Sequence, residues 1–254
     1  MMAQKKPFYF AVMAIFKNET LNLRLWLDHH IWQGAQHFFL IDNGSTDRPL
    51  CVLQDYIDRG IVTYRSRPEP YLQVHHYRSL YAEEDIPSKT RWLAVLDLDE
   101  FVFGVSAPLR SVLVGFEDTA DIIQMNWLMF GTHLEKHPPD VRTALTMRAP
   151  NMHGNTKVLF QTDVISNPRY IHMHRVLDDF QFRKRVENEH IHLHHYPLQS
   201  MEYFTTVKMT RGDAYHKRYD TTRNLSYFES INRDSTVVHD DTLARLVRDG
   251  YALS

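Results

Sequence analysis

Cysteine is all but missing: Cys51 stands alone among 254 residues. A single thiol excludes an internal disulfide and a cysteine-rich zinc site, and it suits a reducing compartment. A charge excess of either sign is missing too. The 29 Lys and Arg against 31 Asp and Glu leave a formal net charge of −2, which gives no electrostatic reason to expect nucleic acid as the main partner. No apolar run reaches the roughly 20 residues of a membrane-spanning helix. Met1 to Lys6 is too short and too polar for a signal peptide with its apolar core. These absences read as a cytoplasmic chain, or as the cytosol-facing domain of a longer anchored protein. Glycine is scarce, at nine residues, few for an enzyme that binds phosphates. Internal repeats, low-complexity segments and a linker long enough to separate a pair of domains are absent as well.

What is present is a soluble globular composition, in a length that serves one large α/β domain or two small ones. Histidine is abundant, at 16 residues. Phe8 to Phe16 reads as a first buried strand, apolar and rich in aromatic and β-branched residues. Leu21, Leu25, Trp26, His29 and Trp32 then recur at helical spacing, and Gly34 is placed to end that helix. His37 to Ile41 is a second strand. Asp42-Asn43-Gly44-Ser45-Thr46-Asp47 is a turn, with Asp47 capping a helix that carries Pro49 in its first turn and ends before Gly60. Ile61 to Tyr64 is a third strand, Leu72 to Glu84 a helix, and Trp92 to Leu98 a fourth strand. The alternation predicts an α/β fold, a mostly parallel sheet covered by helices. The second half is less regular. Strands are expected over Ala120 to Phe130, Val141 to Arg148, Thr156 to Gln161 and His190 to His195, and a helix over Phe204 to Asp213.

The fourth strand ends abruptly in acids: Asp97, Asp99 and Glu100. Strand side chains alternate faces, so Asp97 and Asp99 are expected to point the same way. Two same-facing carboxylates at a strand end suit a hard divalent cation that keeps open positions for substrate phosphates. Ligands of open α/β sheets bind beyond the carboxyl ends of the strands. Two further strand ends carry polar clusters, Lys17-Asn18-Glu19 and Asp42-Asn43 with Ser45 and Asp47. Singly, each of these clusters reads more simply as turn, cap or helix-dipole chemistry. Their convergence is what points to a site.

Lys17-Asn18-Glu19, Trp26-Leu27-Asp28-His29-His30, Gly34, Phe39 to Asp47 and Trp92 to Phe101 together resemble glycosyltransferase family 92 and its bacterial and viral relatives near the family 2 enzymes. Later pieces extend the resemblance to about Asp213: Asn126 to Gly131, Lys157-Val158, His172-Met173-His174, His194 to Ser200, Lys208 and Arg211-Gly212. The resemblance implies a glycosyltransferase A-type single domain. Residues 8–118 would form its nucleotide-sugar-binding half, 119–213 its acceptor-binding half, and 214–254 a C-terminal extension. It implies that Glu19 and Asp42, with Lys17, Asn18 and Asn43 beside them, contact the base and ribose. Asp97 and Asp99 would hold Mn²⁺ or Mg²⁺ on the donor diphosphate, and His195 would complete the metal's ligands. Gln199 departs from the family pattern, standing where a basic residue precedes Ser200.

The expected activity is metal-dependent transfer of a sugar from a nucleoside diphosphate sugar to a glycan or lipid-linked acceptor. Glu100, Glu135 and Asp179, with Asp178 beside it, are the candidate general bases if the reaction inverts. Trp127 is either an acceptor-stacking ring or a core aromatic. His190, His192 and His194 share a face if their segment is a strand, a spacing open to zinc, though a polar strand face is the simpler reading. His29-His30 and His75-His76 read as helix-surface or packing residues. Two alternatives use the same residues: a metal-dependent phosphohydrolase or nucleotidyltransferase, and a sugar-nucleotide-binding module without catalysis.

Overall fold

A computed structural model describes residues 6–251. Met1 to Lys5, most of the segment read above as too polar for a signal peptide, lie outside the described residues.

Strand β1 (Phe8–Phe16) is buried along nearly its whole length. Its alternate residues serve two cores. Phe10, Val12, Ala14 and Phe16 pack with Leu23, Trp26 and Leu27 of helix α1 (Thr20–Trp32) and with Leu53 and Tyr56 of α2 (Leu50–Asp58). Ala11, Met13 and Ile15 pack with Tyr77, Leu80 and Tyr81 of α3 (Gln73–Glu83). Burial on both faces is why the segment reads as a continuous apolar run. Each large side chain sealed this way contributes about 1.5–3 kcal/mol. Helix α1 ends at Gly34, whose φ of 93° a side chain would strain and whose added Cβ would lie 2.5 Å from Arg110 Cβ.

Strands β2 (His37–Asp42) and β4 (Thr90–Val95) flank β1 in parallel, and β3 (Val62–Ser66) lies outside β2, also parallel. The remaining strands of the sheet are β5 (Glu100–Gly104), β6 (Ile122–Met129), β8 (Thr156–Gln161), β9 (Lys184–Val186) and β10 (Ile191–His195), with β7 (Met147–Arg148) and β11 (Val238–His239) pairing apart. The order is β3-β2-β1-β4-β8-β6-β10-β5, with β9 on β6. The chain builds outward from β1 to β3, then returns to β4 on the other side of β1. That reversal opens a crevice at the carboxyl ends of β1 and β4. Strand β8 runs antiparallel to β4 and β6, and β5 antiparallel to β10.

Several elements differ from the sequence reading. The fourth strand stops at Val95, so Asp97 and Asp99 sit in a tight turn rather than on one strand face. Trp26 Nε1 holds that turn by donating to the carbonyls of Asp97 (3.1 Å) and Glu100 (2.9 Å). Glu100 then opens β5, which runs at the far edge of the sheet. Val141 to Arg148 begins as a helical turn, Val141–Ala144, because Asp140 caps it by accepting from the Arg142 amide. Only Met147–Arg148 is strand. The helix expected over Phe204 to Asp213 is a short α-turn, Met201–Tyr203, that widens into a π-turn over Phe204–Lys208. Asp47 accepts from Thr20 N at 2.8 Å and so caps α1, not the helix that follows it.

Candidate active site

A cavity of about 960 Å³ opens at the carboxyl ends of β1 and β4. Lys17 and Glu19, just past the end of β1, form one wall, and Asp97, Leu98 and Asp99 form the floor.

The floor acids are held by buried lysines. Lys157, on β8 beside β4, is fully buried and places Nζ 2.8 Å from Asp97 Oδ2 and 3.4 Å from Glu100 Oε2. Glu100 Oε2 also accepts from the Asp97 amide at 2.8 Å, while its Oε1 is buried without a partner. Burial, aided by Asp97 and Asp99, drives the Glu100 carboxyl well above the ordinary range. One lysine between two acids neutralises only one of them. Asp99 Oδ2 accepts from Lys208 Nζ at 2.5 Å and lies 3.3 Å from His195 Nε2. Although burial opposes it, the Lys208 ammonium and His195 hold Asp99 well below the usual carboxylate range.

Glu19 is 1% exposed. Its Oε1 accepts from Arg211 Nη1, and its Oε2 accepts from Tyr203 Oη at 2.6 Å and from Asn22 Nδ2 at 2.8 Å. Lys208 and Arg211 thus arrive from one turn of chain and engage two different acids. The segment that follows covers the cavity. It is held there by Tyr71 Oη, which donates to Asp220 Oδ2 at 2.7 Å, and by the Gln73 amide, which donates to the Ala214 carbonyl at 3.3 Å.

The opposite wall is aromatic. Trp127 of β6 stacks with His153 at 5.4 Å between ring centres and touches His195 at 4.4 Å and His174 at 5.5 Å. Burial and the nearby Lys157 push His174 down to about 4, so it is neutral at neutral pH. Trp127 Nε1 is buried without a partner.

Of the sequence candidates, Lys17, Glu19, Asn43, Asp97, Asp99 and His195 line the cavity. Asn18 and Asp42 do not. Asn18 ties two loops together, its amide donating to Ser45 Oγ and its Oδ1 accepting from the Thr46 amide. Asp42 accepts from the Ser45 amide at 2.8 Å and from Tyr64 Oη at 2.7 Å, the turn role rather than an open acceptor. Asn43 faces the cavity while its Nδ2 donates to the carbonyls of Arg67 and Glu69.

All three candidate bases lie outside the cavity lining. Glu100 is sealed beneath the floor, because β5 carries it inward. Glu135 is away from the cavity, where its carbonyl accepts from the Glu202 amide. Asp179 pairs with Lys184 at 2.7 Å beside a separate shallow groove. The zinc spacing also dissolves: His190 is exposed beside Glu187, whereas His194 is buried against Tyr196 Oη. His29 and His30 are packing residues that bond the carbonyls of Val102 and Trp26.

Sequence reading gave no role to Tyr203, Lys208 or Arg211. Lys208 and Arg211 stood among the pieces of the family resemblance without a role, and their i, i+3 spacing puts two cations on one face of a helical turn.

The floor can be tested for a divalent ion. Asp99 Oδ2 and His195 Nε2 are 3.3 Å apart, close to the roughly 3 Å between neighbouring ligands of an octahedral ion bound at about 2.1 Å. Carboxylate oxygen is the ligand type Mg²⁺ and Mn²⁺ take, and neutral imidazole is the commonest metal ligand. Among the described residues, no group of three or more His, Cys, Asp or Glu gathers into a closed metal site. The residues therefore fit an ion that draws its other ligands from a substrate.

The family model described as Glycosyltransferase family 92 matches residues 6–238. A glycosyltransferase family 92 protein of Ricinus communis is 20% identical over 228 residues, covering 82% of this chain and 38% of the relative. The chain thus spans well under half the length of that relative. Among solved structures, TarS 1–349 of S. aureus is similar at a TM-score of 0.46 and 11% identity, over 88% of this chain and 71% of that one. GalNAc-T7, crystallised with UDP, GalNAc and Mn²⁺, is similar at a TM-score of 0.40 and 11% identity, over 74% of this chain and 43% of that one. Among the described residues no helix is long and apolar enough to cross a membrane.

Proposed function

The chain belongs to glycosyltransferase family 92, and from that membership we propose that it moves a sugar from a nucleoside diphosphate sugar to a hydroxyl of a glycan or lipid-linked acceptor, with Mn²⁺ or Mg²⁺ at the diphosphate. Its fold is the mixed α/β, A-type arrangement the family implies, with the acids at the carboxyl end of β4. The observation that carries the reading is the pairing of acids with cations from the 208–211 turn on one cavity: Asp99 with Lys208 and Glu19 with Arg211. Such a site offers both an ion position and cationic side chains for a leaving diphosphate.

In this reading the donor lies along the β1 and β4 ends. Lys17 and Asn43 face the nucleoside, and Lys208 and Arg211 take the phosphate oxygens through charge-assisted hydrogen bonds. Asp99 and His195 would hold the ion, with Asp97 beside them. When bound, the ion supplies Lewis-acid stabilisation of the negative charge that builds on the departing diphosphate. The acceptor enters from the Trp127 wall, where ring faces suit the C–H surfaces of a sugar. The 208–223 segment excludes water above the reacting carbon.

The test incubates the protein with Mn²⁺ and a panel of nucleotide sugars, following donor turnover and protection from heat. Protection by one class of nucleotide sugar, with sugar transfer to an added glycan or lipid-linked acceptor, is expected. Nucleotide release without transfer to any acceptor would favour a phosphohydrolase, and protection without turnover a binding module. No protection by any nucleotide sugar would remove the donor reading.

A further inference from the structure

Three acids and three bases meet at the floor and wall of the cavity: Glu19 with Arg211, Asp97 with Lys157, and Asp99 with Lys208. Glu100, sealed beneath the floor, shares the Lys157 ammonium with Asp97 at 3.4 Å. These three pairs are therefore electrically balanced with nothing bound. A divalent cation alone, or a nucleoside diphosphate alone, would unbalance them by two charges or more. The two together would largely cancel. In a partly buried, low-dielectric site that difference is large.

The balance has a steric side. Asp99 Oδ2 is shared: Lys208 Nζ stands at 2.5 Å and His195 Nε2 at 3.3 Å. Asp99 and His195 would hold an ion on the side of the carboxylate that the ammonium already occupies, since His195 Nε2 lies nearest the same oxygen. Two positive groups on one oxygen repel. We propose that Lys208 and a divalent cation are alternative occupants of Asp99: the lysine holds the acid until ion and donor arrive together, then passes to the diphosphate. The proposal rests on the donor reading above and deepens it. Lys208 is suited to the exchange. It ends the π-turn, its stem is flexible, and the Tyr203 ring centre 5.8 Å from Nζ gives the amine a favourable surface as it leaves the acid. Arg211, held by Glu19, stays in place as the fixed cation. Lys208 thus makes metal binding conditional on donor binding.

Calorimetry with Mn²⁺ alone, UDP or GDP alone, and both together tests this on the wild type and on Lys208→Met. Wild type should bind Mn²⁺ weakly by itself and at least about ten-fold more tightly with the nucleotide present, a coupling seen equally from either ligand. Lys208→Met should bind Mn²⁺ alone about ten-fold more tightly than wild type, because the competing cation is gone, and should lose most of the coupling. Lys208→Arg should keep the wild-type pattern. Lys208→Met binding Mn²⁺ no more tightly than wild type, with the coupling intact, overturns the proposal. Should Lys208→Met fail to fold, a crystal structure of wild type with Mn²⁺ and UDP decides. Lys208 Nζ on a phosphate oxygen and away from Asp99 is the expected result; Lys208 still on Asp99 with the ion bound overturns it. If the nucleotide binds but no divalent ion does, alternate occupancy falls and the donor reading stands. If no nucleotide binds with or without metal, the donor reading itself falls.

Discussion

Lys157, wholly buried on β8, spans the strand pair to place its ammonium 2.8 Å from Asp97 Oδ2 at the end of β4. The lysine fixes the floor of the cavity from below, and its charge is matched inside the protein rather than by solvent.

Removing that charge leaves acids facing each other. Breaking a buried pair by deleting one partner costs about 3–5 kcal/mol, and Lys157→Met should fall toward the lower end, since Asp97 is about a third open to solvent. Urea titration measures it. A loss below about 1 kcal/mol, the range of exposed ion pairs, would mean that the pair is not the anchor described.

Stability should decline on mild acidification because of three buried imidazoles. Burial pushes His30 and His194 down to about 3 and His29 well below its ordinary value. The unfolded chain takes up protons near pH 6.5 while the folded chain does not. Stability is therefore full above that pH and is lost as pH falls from about 6.5 toward 3. At pH 5.5 the loss is about 1.4 kcal/mol for each histidine. Urea midpoints between pH 7.5 and 5.5 read the slope. A flat profile would contradict the neutral buried imidazoles.

The acids of the site could be given roles from the sequence, and the cations could not be paired with them. Glu19, Asp97 and Asp99 each follow a strand whose apolar run marks where it ends. Lys157 and Lys208 reach Asp97 and Asp99 across 60 and 109 residues of chain, and no local pattern encodes such a pairing. Strands such as Phe8–Phe16 and Thr156–Gln161 were readable because both faces are buried. The turn at Leu96 to Asp99 was not, because the indole that holds it comes from Trp26 on another element. Asp140, Asp47 and the π-turn at Phe204–Lys208 show the same limit at helix ends: which group an acid caps depends on what folds beside it.

Asp42→Ala should lower the melting temperature and leave nucleotide affinity per folded molecule unchanged. The sequence made Asp42 a ribose or base contact. In the structure its oxygens serve the Ser45 amide and Tyr64 Oη. Losing a charged acceptor from two such bonds costs about 1.5–3 kcal/mol for each. Thermal melts and nucleotide calorimetry, run on the same preparation, separate the outcomes. A ten-fold or larger drop in affinity with an unchanged melt would return Asp42 to the donor site.

The Trp127 wall gives a prediction that splits donor from acceptor. His153 is exposed and stacks on the indole at 5.4 Å with planes 25° apart, while Trp127 itself is only 8% exposed and supports His195. Changing Trp127 would disturb the proposed ion ligand as well as the wall, so a loss of activity there would not distinguish the two roles. His153 is the milder change, because its exposed ring meets the indole from outside. In the proposed reading its ring covers a face of the indole that an acceptor sugar would otherwise meet. His153→Ala should therefore change the acceptor KM by about three-fold or more, the range of a single aromatic stacking contact, with the donor KM and the melting temperature unmoved. A shift in donor KM of the same size would place the nucleotide against this wall and reverse the direction in which the cavity is read.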